Sequence, residues 1–149
     1  MKDQIINFNT AIIAHNAGFN VDTDVYWCNY YSNHHNLLNN DNIIKLDDFV
    51  YAKWKLLNKE SLSGIGFSNC EFNAPTQSLL QKWLREVHKI DLWYGILDNP
   101  NRYHVEDIVC IDTNYRISGI NKGSKTYEEA LELGLQEALN FILNERSNN

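Results

Sequence analysis

Hydrophobic residues recur at helical spacing in three parts of the chain. Ile5, Phe8 and Ile12 lie on one stripe and predict a first helix over about 3–17. The same spacing predicts a second helix over about 74–88 and a third that begins near Thr126. The apolar stripes of the second and third helices are Leu79, Leu80, Trp83, Leu84 and Val87, and Leu131, Leu135, Ala138, Leu139 and Ile142.

The ends of these helices carry their own signals. Gly18 supplies a left-handed cap after the first helix, and Pro75 is tolerated in the first turn of the second. Thr126 and Glu129 predict a capping box, in which the threonine side chain accepts from the Glu129 amide and the Glu129 carboxylate reaches back. Gly134 costs up to about 1 kcal/mol inside a helix, and close packing against a sheet would account for it.

Four segments have the character of strands. The first is β-branched and aromatic, and the last three are joined by turn residues at 98–101 and 112–114. The predicted strands are residues 25–31, 90–97, 102–111 and 114–120. Because short turns join antiparallel neighbours, the last three strands predict a meander.

The middle of the chain, about 28–70, is irregular and has the character of an inserted segment. Residues 32–42 are polar and predict a loop, and residues 66–72 predict a short strand. Residues 43–57 fit two patterns, since Phe49, Lys53 and Leu56 are spaced as on a helix while Val50, Ala52, Trp54 and Leu56 alternate as in a strand. We favour a helix after Asp47 and Asp48.

These elements predict the fold class. We expect one small α+β domain over residues 1–149, with an antiparallel sheet that includes the C-terminal three-stranded meander. About three helices pack on one face of this sheet and bury their apolar stripes. Residues 145–149 are expected to form a disordered tail.

Charge and composition narrow the classes of function. The net charge is −6 and the isoelectric point about 5.3, without a cluster of lysine and arginine that would neutralise duplex phosphates. We therefore expect no duplex nucleic acid as a partner, while a small anionic ligand stays open. The chain holds no apolar stretch of the roughly 18 to 20 residues that span a membrane. Its 3 cysteines are far apart, which favours reduced thiols in the cytoplasm.

Three segments resemble small phage and prophage proteins of bacteria. These segments are residues 6–11 with Gly18 and Phe19, residues 74–86 (APTQSLLQKWLRE) followed by His88 and Ile90, and residues 126–139 (TYEEALELGLQEAL). The resemblance implies a viral or prophage origin and therefore the cytoplasm of a bacterial host. It implies no activity, because the family is generally uncharacterised, and no catalytic residue is carried over.

Aromatic residues on the predicted strands are the best candidates for a binding site. Because strand side chains alternate between two faces, helices on one side leave part of these rings uncovered. Exposed rings stack on bases or anchor partners, and arginines beside them hold phosphate groups. The candidate ligand-binding residues are Trp27, Tyr31, Arg85, Trp93, Arg102, Tyr103 and Arg116. The alternative is that the rings pack the core.

Other reactive side chains favour structural interpretations. His34 and His35 stand in a polar loop, where adjacent histidines rarely bind one metal ion. Cys28 and Cys110 lie in predicted strands, where a buried, inert thiol is common. The carboxylates of the meander suit turns and a solvated rim. The chain has no motif typical of a phosphate-binding loop, a dinucleotide site or a zinc protease, so we expect no cofactor and no metal site.

Together these observations favour binding over catalysis. We expect a non-enzymatic accessory protein of a phage that binds a host factor, and one form is a counter-defence protein that sequesters a nucleotide signalling molecule. One alternative is a protein–protein interaction module that inhibits a host protein or regulates phage assembly. Another is a small hydrolase that uses Cys28 or a pair of carboxylates. We expect a homo-oligomer, since helices on one face leave the other face of the sheet to be covered.

Overall fold

The computed structural model describes residues 3–29, 44–46, 49–51, 54–58, 71–97 and 102–148. The helices in these ranges are α1 (Phe8–Asn16), α2 (Gln77–Val87) and α3 (Tyr127–Ser147). The strands are β1 (Val25–Asn29), β2 (Ile44–Leu46), β3 (Phe49–Tyr51), β4 (Trp54–Asn58), β5 (Glu71–Asn73), β6 (Ile90–Ile96), β7 (Tyr103–Cys110) and β8 (Tyr115–Ser124). The protein is a small single domain of the α+β class, as the sequence predicts.

Every sheet in the described part of the chain is antiparallel. Strands β6, β7 and β8 form the predicted C-terminal meander in that order, and β4, β1 and β5 form a second sheet with β1 in the middle. Strands β2 and β3 pair as a hairpin. The meander contains bulges, one of them between Trp93 and Tyr94, which lets Asp107 stand opposite Trp93 and Val105 opposite Tyr94.

Helices α2 and α3 cover the inner face of the meander, while α1 packs on α3 and β5. The core includes Leu84 of α2, Ile108 of β7 and Leu139 of α3, all without exposed surface. Gly134 lies at the closest approach of α3 to the sheet. A Cβ on this glycine would lie 2.6 Å from Val105 Cγ2 and 2.7 Å from Leu92 Cδ2. The glycine therefore permits contact between helix and sheet that any larger residue would push apart.

A network of polar side chains joins the three helices. The Glu132 carboxylate of α3 accepts from the Thr10 hydroxyl at 2.5 Å, the Asn7 amide at 2.9 Å and the Gln77 side chain at 2.7 Å. The Gln136 side chain donates to the Thr10 hydroxyl at 2.8 Å. Thr10 and Gln77 are buried, so each of these contacts replaces a lost contact with water. We call these five residues the Glu132 network.

The helix caps follow the sequence signals closely. The Thr126 hydroxyl accepts from the Glu129 amide at 3.1 Å, and the Glu129 carboxylate accepts from the Lys125 amide at 3.1 Å. Gly18 has a φ of 90°, in the left-handed region expected of a glycine cap. Pro75 differs from its prediction, because it precedes Thr76, the N-cap of α2, instead of lying in the first turn.

Helix α1 begins later than predicted. Residues 3–7 are extended, and the Ile6 amide donates to the Pro75 carbonyl at 3.0 Å. The Asn7 side chain then caps the helix by accepting from the Thr10 amide. The hydrogen bond to the segment before α2 competes with helix formation here, which apolar spacing alone does not reveal.

The helix predicted after Asp47 and Asp48 was wrong. The described residues between 43 and 57 form the strands β2, β3 and β4, so the alternating pattern is the one that the structure follows. Strand β4 pairs along the whole of β1, with Leu56 opposite Trp27. The backbone hydrogen bonds of β4 are made with β1, which lies about 30 residues earlier in the chain. The spacing of apolar residues within 43–57 does not reveal that partner.

The end of α3 also differs from expectation. Residues 145–147, predicted to begin a disordered tail, continue the helix to its C-cap Asn148. The Ser147 hydroxyl donates to the Leu143 carbonyl at 2.9 Å. Arg146 therefore belongs to the last turn of α3 and is exposed at the surface.

Candidate functional site

Three of the predicted ligand-binding residues gather near the outer face of the meander. Trp93 is 51% exposed there, and Asp107 stands opposite it on β7. Arg116 forms an ion pair with Asp107, and Arg85 reaches from α2 to Asp91 at 3.5 Å. We call this surface the Trp93 face. Both arginines already hold a carboxylate, so an incoming anion would have to compete for them.

The other predicted residues do not join this face. The Trp27 indole packs toward the core, with its nitrogen 3.2 Å from the Ile6 carbonyl oxygen, so it serves the fold. Tyr103 is partly buried opposite Ile96, and Arg102 is exposed at the start of β7. Tyr31 lies outside the described residues. The seven predicted residues therefore do not form one site.

A concave site lies elsewhere, between the last turns of α3 and the adjoining ends of the meander strands. This groove has a volume of about 700 Å³. Its lining residues are His88, Ile90, Cys110, Thr113, Tyr115, Ile117, Phe141, Ile142, Glu145 and Arg146. None of these belongs to the predicted set.

Two tight connections shape the groove. Lys89 joins α2 to β6 with a φ of 57°, and its carbonyl accepts from the Ile111 amide at 2.7 Å. Asn114 has a φ of 50° in the turn from β7 to β8. Asparagine tolerates this left-handed conformation better than most residues, whereas lysine adopts it at some cost. His88 directly precedes the first connection, Thr113 and Tyr115 flank Asn114 in the second, and all three line the groove.

The floor of the groove is apolar and its rim is polar. Ile90 and Ile142 are 3% and 5% exposed, and Phe141 and Ile117 pack against the same core. Tyr115 is 66% exposed at the rim, so its ring is available to a ligand. A ring system that lay between these residues would bury apolar surface on both partners.

Arg146 brings a positive charge to this rim. Its guanidinium lies against the backbone of Gly18, where a Cβ would approach Nη2 to 3.2 Å, and Nη1 lies 3.5 Å from the Asn16 carbonyl oxygen. The glycine cap of α1 thus also makes room for the arginine. The exposed guanidinium therefore stands where the C-terminal end of α1 meets the rim of the groove.

His88 is held neutral at the edge of the groove. Burial lowers the pKa of His88 below 6.5, and the positive charge of Arg146 lowers the pKa further. The ring stacks edge-on against Trp83, with centroids 4.5 Å apart. Within the described structure, the buried Nε2 atom has no hydrogen-bond partner. A buried nitrogen of this kind is uncommon and marks the groove as a place where polar groups are not fully satisfied.

The two described cysteines differ. Cys28 is fully buried and its thiol donates to the Tyr26 carbonyl at 3.8 Å, as the prediction of an inert core thiol requires. For Cys110 the prediction of burial was wrong, because this residue is partly exposed in the groove. A hydrogen bond from the Thr113 side chain lowers the pKa of Cys110. The groove therefore holds the more accessible of the two described thiols.

Among the described carboxylates of the meander, Glu106 and Asp112 are exposed, as a solvated rim requires. Asp91 and Asp107 are partly buried and form ion pairs with Arg85 and Arg116, and Asp98 lies outside the described residues. Across the described ranges, no group of three or more histidine, cysteine or acidic side chains is arranged to hold a metal ion. His34 and His35 lie outside those ranges.

Sequence reasoning missed the groove because its residues come from five elements, with Ile90 of β6 among them. His88 ends one helix, Arg146 ends another, and Cys110 and Tyr115 flank a turn. The sequence contained one signal for this site. Tyr115 directly follows the predicted turn at 112–114, at the start of a predicted strand, where an aromatic ring is commonly exposed. No spacing in the chain links it to Arg146.

No helix in the described part of the chain is both long and apolar enough to cross a membrane. Comparison with known proteins found no match among family models, curated proteins or solved structures.

Proposed function

We propose that this protein is a non-enzymatic binding protein and that the groove holds a small anionic ligand. The observation that carries the proposal is the position of Arg146, whose guanidinium lies at the rim of the groove beside an apolar floor. An anionic group would pair with the guanidinium while a ring covers the floor. Ligand sites commonly combine an apolar lining with a few polar groups in this way.

The size of the groove agrees with this class of ligand. Pockets for small molecules commonly measure about 300–1,000 Å³, and the groove lies within that range at about 700 Å³. Tyr115 and Phe141 offer aromatic surface to a nucleobase or another flat ring. A nucleotide therefore fits the available volume and chemistry better than a polymer that would need a long basic surface.

The resemblance to phage proteins suggests why such binding would be useful. A phage protein that sequesters a nucleotide signalling molecule of its bacterial host needs affinity and no catalysis. Such a protein would act in the host cytoplasm. A homo-oligomer is also part of the proposal, because a second copy would cover sheet surface such as the Trp93 face.

Native mass spectrometry with a pool of mono-, di- and cyclic nucleotides tests the proposal. We expect a defined adduct on the wild-type chain and loss of that adduct in Arg146→Gln. Arg102→Gln is the matched control, because Arg102 is exposed and does not line the groove. The proposal is wrong if no nucleotide binds, or if both variants lose the adduct equally. The same spectra report the number of subunits.

A protein partner is the second candidate, and the exposure of Trp93 favours it. A tryptophan that is 51% exposed and surrounded by ion pairs resembles the centre of a protein interface, where aromatic anchors supply much of the affinity. We expect Trp93→Ser to abolish capture of a specific host protein, while Tyr115→Ser leaves it intact. Capture that survives Trp93→Ser would remove this candidate.

A further inference from the structure

We propose that the Trp93 face pairs with the same face of a second copy of this chain, around a two-fold axis. This inference rests on the homo-oligomer that forms part of the proposed function, and it assigns the contact to one surface and one partner. The groove takes no part in the contact.

The outer face of the meander presents an aromatic ring to solvent. Leu92 is 4% exposed and packs in the core, so alternation along β6 turns its neighbour Trp93 away from the covering helices. Trp93 is 51% exposed as a result. A half-exposed tryptophan is a common anchor of protein interfaces, because a large apolar area leaves water when the ring is covered.

Two ion pairs flank this ring. Asp91 lies two residues before Trp93 on the same face of β6, and Arg85 reaches it from α2 at 3.5 Å. Asp107 stands opposite Trp93 on β7, and Arg116 of β8 pairs with it. The two arginine side chains are 48% and 63% exposed, so both pairs are accessible to a partner that covers the ring.

The ion pairs make the Trp93 face complementary to itself. Each pair places a positive group beside a negative one, and a two-fold axis that runs between them reverses their order in the second copy. The arginine of one copy then lies against the aspartate of the other, and each such contact occurs twice. An arginine has five donors, so Arg85 and Arg116 can keep their own carboxylates and still donate to those of the second copy.

The charge of the whole chain favours contact at this face. The net charge is −6, so two copies repel one another wherever acidic surface meets acidic surface. Each ion pair of the Trp93 face is neutral, and approach through this face avoids much of that repulsion. A strongly basic or strongly acidic partner finds no matching surface here, because each arginine has an aspartate beside it.

We expect a dimer that dissociates readily. The three strands of the meander are 7, 8 and 10 residues long, and small interfaces of this kind bind weakly and reversibly. A dissociation constant on the order of 10–100 µM is therefore expected. Sedimentation velocity from about 5 to 500 µM at low ionic strength covers this range.

Exchange of charges tests the contact directly. Arg116→Glu makes its pair with Asp107 wholly negative, and Asp107→Lys makes the same pair wholly positive, so each variant should repel itself and stay monomeric. When the two variants are mixed in equal amounts, we expect a heterodimer, because the negative pair of one meets the positive pair of the other. Recovery in the mixture also shows that both variants are folded.

Two further variants control for the change in net charge. Lys125→Glu and Asp24→Lys make the same changes of charge at exposed positions outside the Trp93 face, and both should dimerise like the wild-type chain. Trp93→Ser should weaken dimerisation by at least about tenfold, because it removes the ring at the centre of the contact.

The outcomes separate this inference from binding in the groove. A wild-type chain that stays monomeric up to about 500 µM overturns the inference, and so does a mixture of the two charge variants that fails to dimerise. Dimers that persist in Trp93→Ser and in both charge variants place the contact elsewhere and overturn it too. A monomer that captures a host protein through Trp93 assigns the face to that protein instead. Nucleotide binding is read from the adduct mass, so a monomer that binds a nucleotide removes only the contact between copies.

Discussion

The two ends of helix α3 use polar side chains in opposite ways. Near its start, Glu132 accepts three hydrogen bonds, and buried Thr10 and Gln77 are both satisfied by the same carboxylate. Near its end, Arg146 reaches the rim of an open groove and His88 keeps a buried nitrogen without a partner in the described structure. Buried polar groups that hydrogen-bond to one another hold helices together. Polar groups at a concave surface that lack such partners can instead bind a ligand.

The two groups of residues also come from different parts of the chain. The Glu132 network takes Thr10 and Gln77 from the first turns of α1 and α2 and Gln136 from the middle of α3. The groove takes His88 from the C-cap of α2, Tyr115 from β8 and Arg146 from the last turn of α3.

The largest expected effect comes from breaking the network. Glu132→Ala removes the charged acceptor that Asn7, Thr10 and Gln77 share, and leaves Thr10 with only Asn7 Oδ1 at 3.2 Å and Gln77 with only the Glu128 carbonyl at 3.0 Å. Because three hydrogen bonds to a carboxylate are lost, we expect a loss of about 3 kcal/mol in the free energy of unfolding. Chemical denaturation measures it. Glu137→Ala on the same helix should cost less than about 0.5 kcal/mol, and so should Arg146→Gln at the groove. Equal losses in all three variants would contradict the division of roles along α3.

The next largest effect on stability is expected for Gly134, in the middle of α3. Gly134→Ala should gain up to about 1 kcal/mol in helix propensity but force a methyl group against Val105 and Leu92, at a cost of about 1–3 kcal/mol. We expect a net destabilisation in chemical denaturation. A stabilised variant would show that the contact between helix and sheet relaxes easily and that packing does not require the glycine.

Thiol reactivity sharpens the comparison at the groove end. Iodoacetamide should label Cys110 faster than Cys28 near neutral pH, because Cys110 is partly exposed and a hydrogen bond from the Thr113 side chain lowers its pKa. Thr113→Val should slow the labelling a few-fold. Peptide mapping by mass spectrometry assigns each site. Labelling of Cys28 at the same rate as Cys110 would contradict the burial of Cys28.

The smallest expected effect is a pH dependence of stability. The pKa of His88 is lowered in the folded state, so below its ordinary value of 6.5 the unfolded chain binds a proton that the folded chain does not. Stability is therefore lost as pH falls through 6.5 toward the folded-state pKa. Thermal denaturation between about pH 7.5 and 5.5 measures this loss.

Two variants assign that loss to one histidine. His88→Asn should flatten the decline in melting temperature over this range. His15→Gln replaces an exposed histidine on α1 and should keep the decline. A decline that is the same in His88→Asn and in the wild-type chain would remove His88 as its source.

Local patterns predicted most of the helices and the meander. The capping box at Thr126, the glycine cap at Gly18 and the turn at 112–114 are short-range devices, and the structure contains each of them. The prediction failed where a distant partner decides the outcome. Strand β4 pairs with β1, and residues 3–7 bond to the segment before α2, so neither follows from its own spacing.

The candidate site was harder to predict than the fold. Arg85, Trp93 and Arg116 are exposed, yet the two arginines are held by Asp91 and Asp107. The groove depends on five elements that converge through the packing of α3 across the meander. Arg146 was not predicted as a site residue because the sequence predicts a disordered tail over residues 145–149. In the structure α3 continues through Arg146 and brings its guanidinium against Gly18.

The sequence by itself determined the class of fold, the caps at Gly18 and Thr126 and the meander, because these depend on neighbours a few residues apart. Only the tertiary structure decided which polar groups are satisfied. Glu132 and Arg146 are both charged residues of α3, and the sequence does not show that their roles differ. Their difference arises because α1 and α2 bring buried donors to one, while the meander leaves an open groove beside the other.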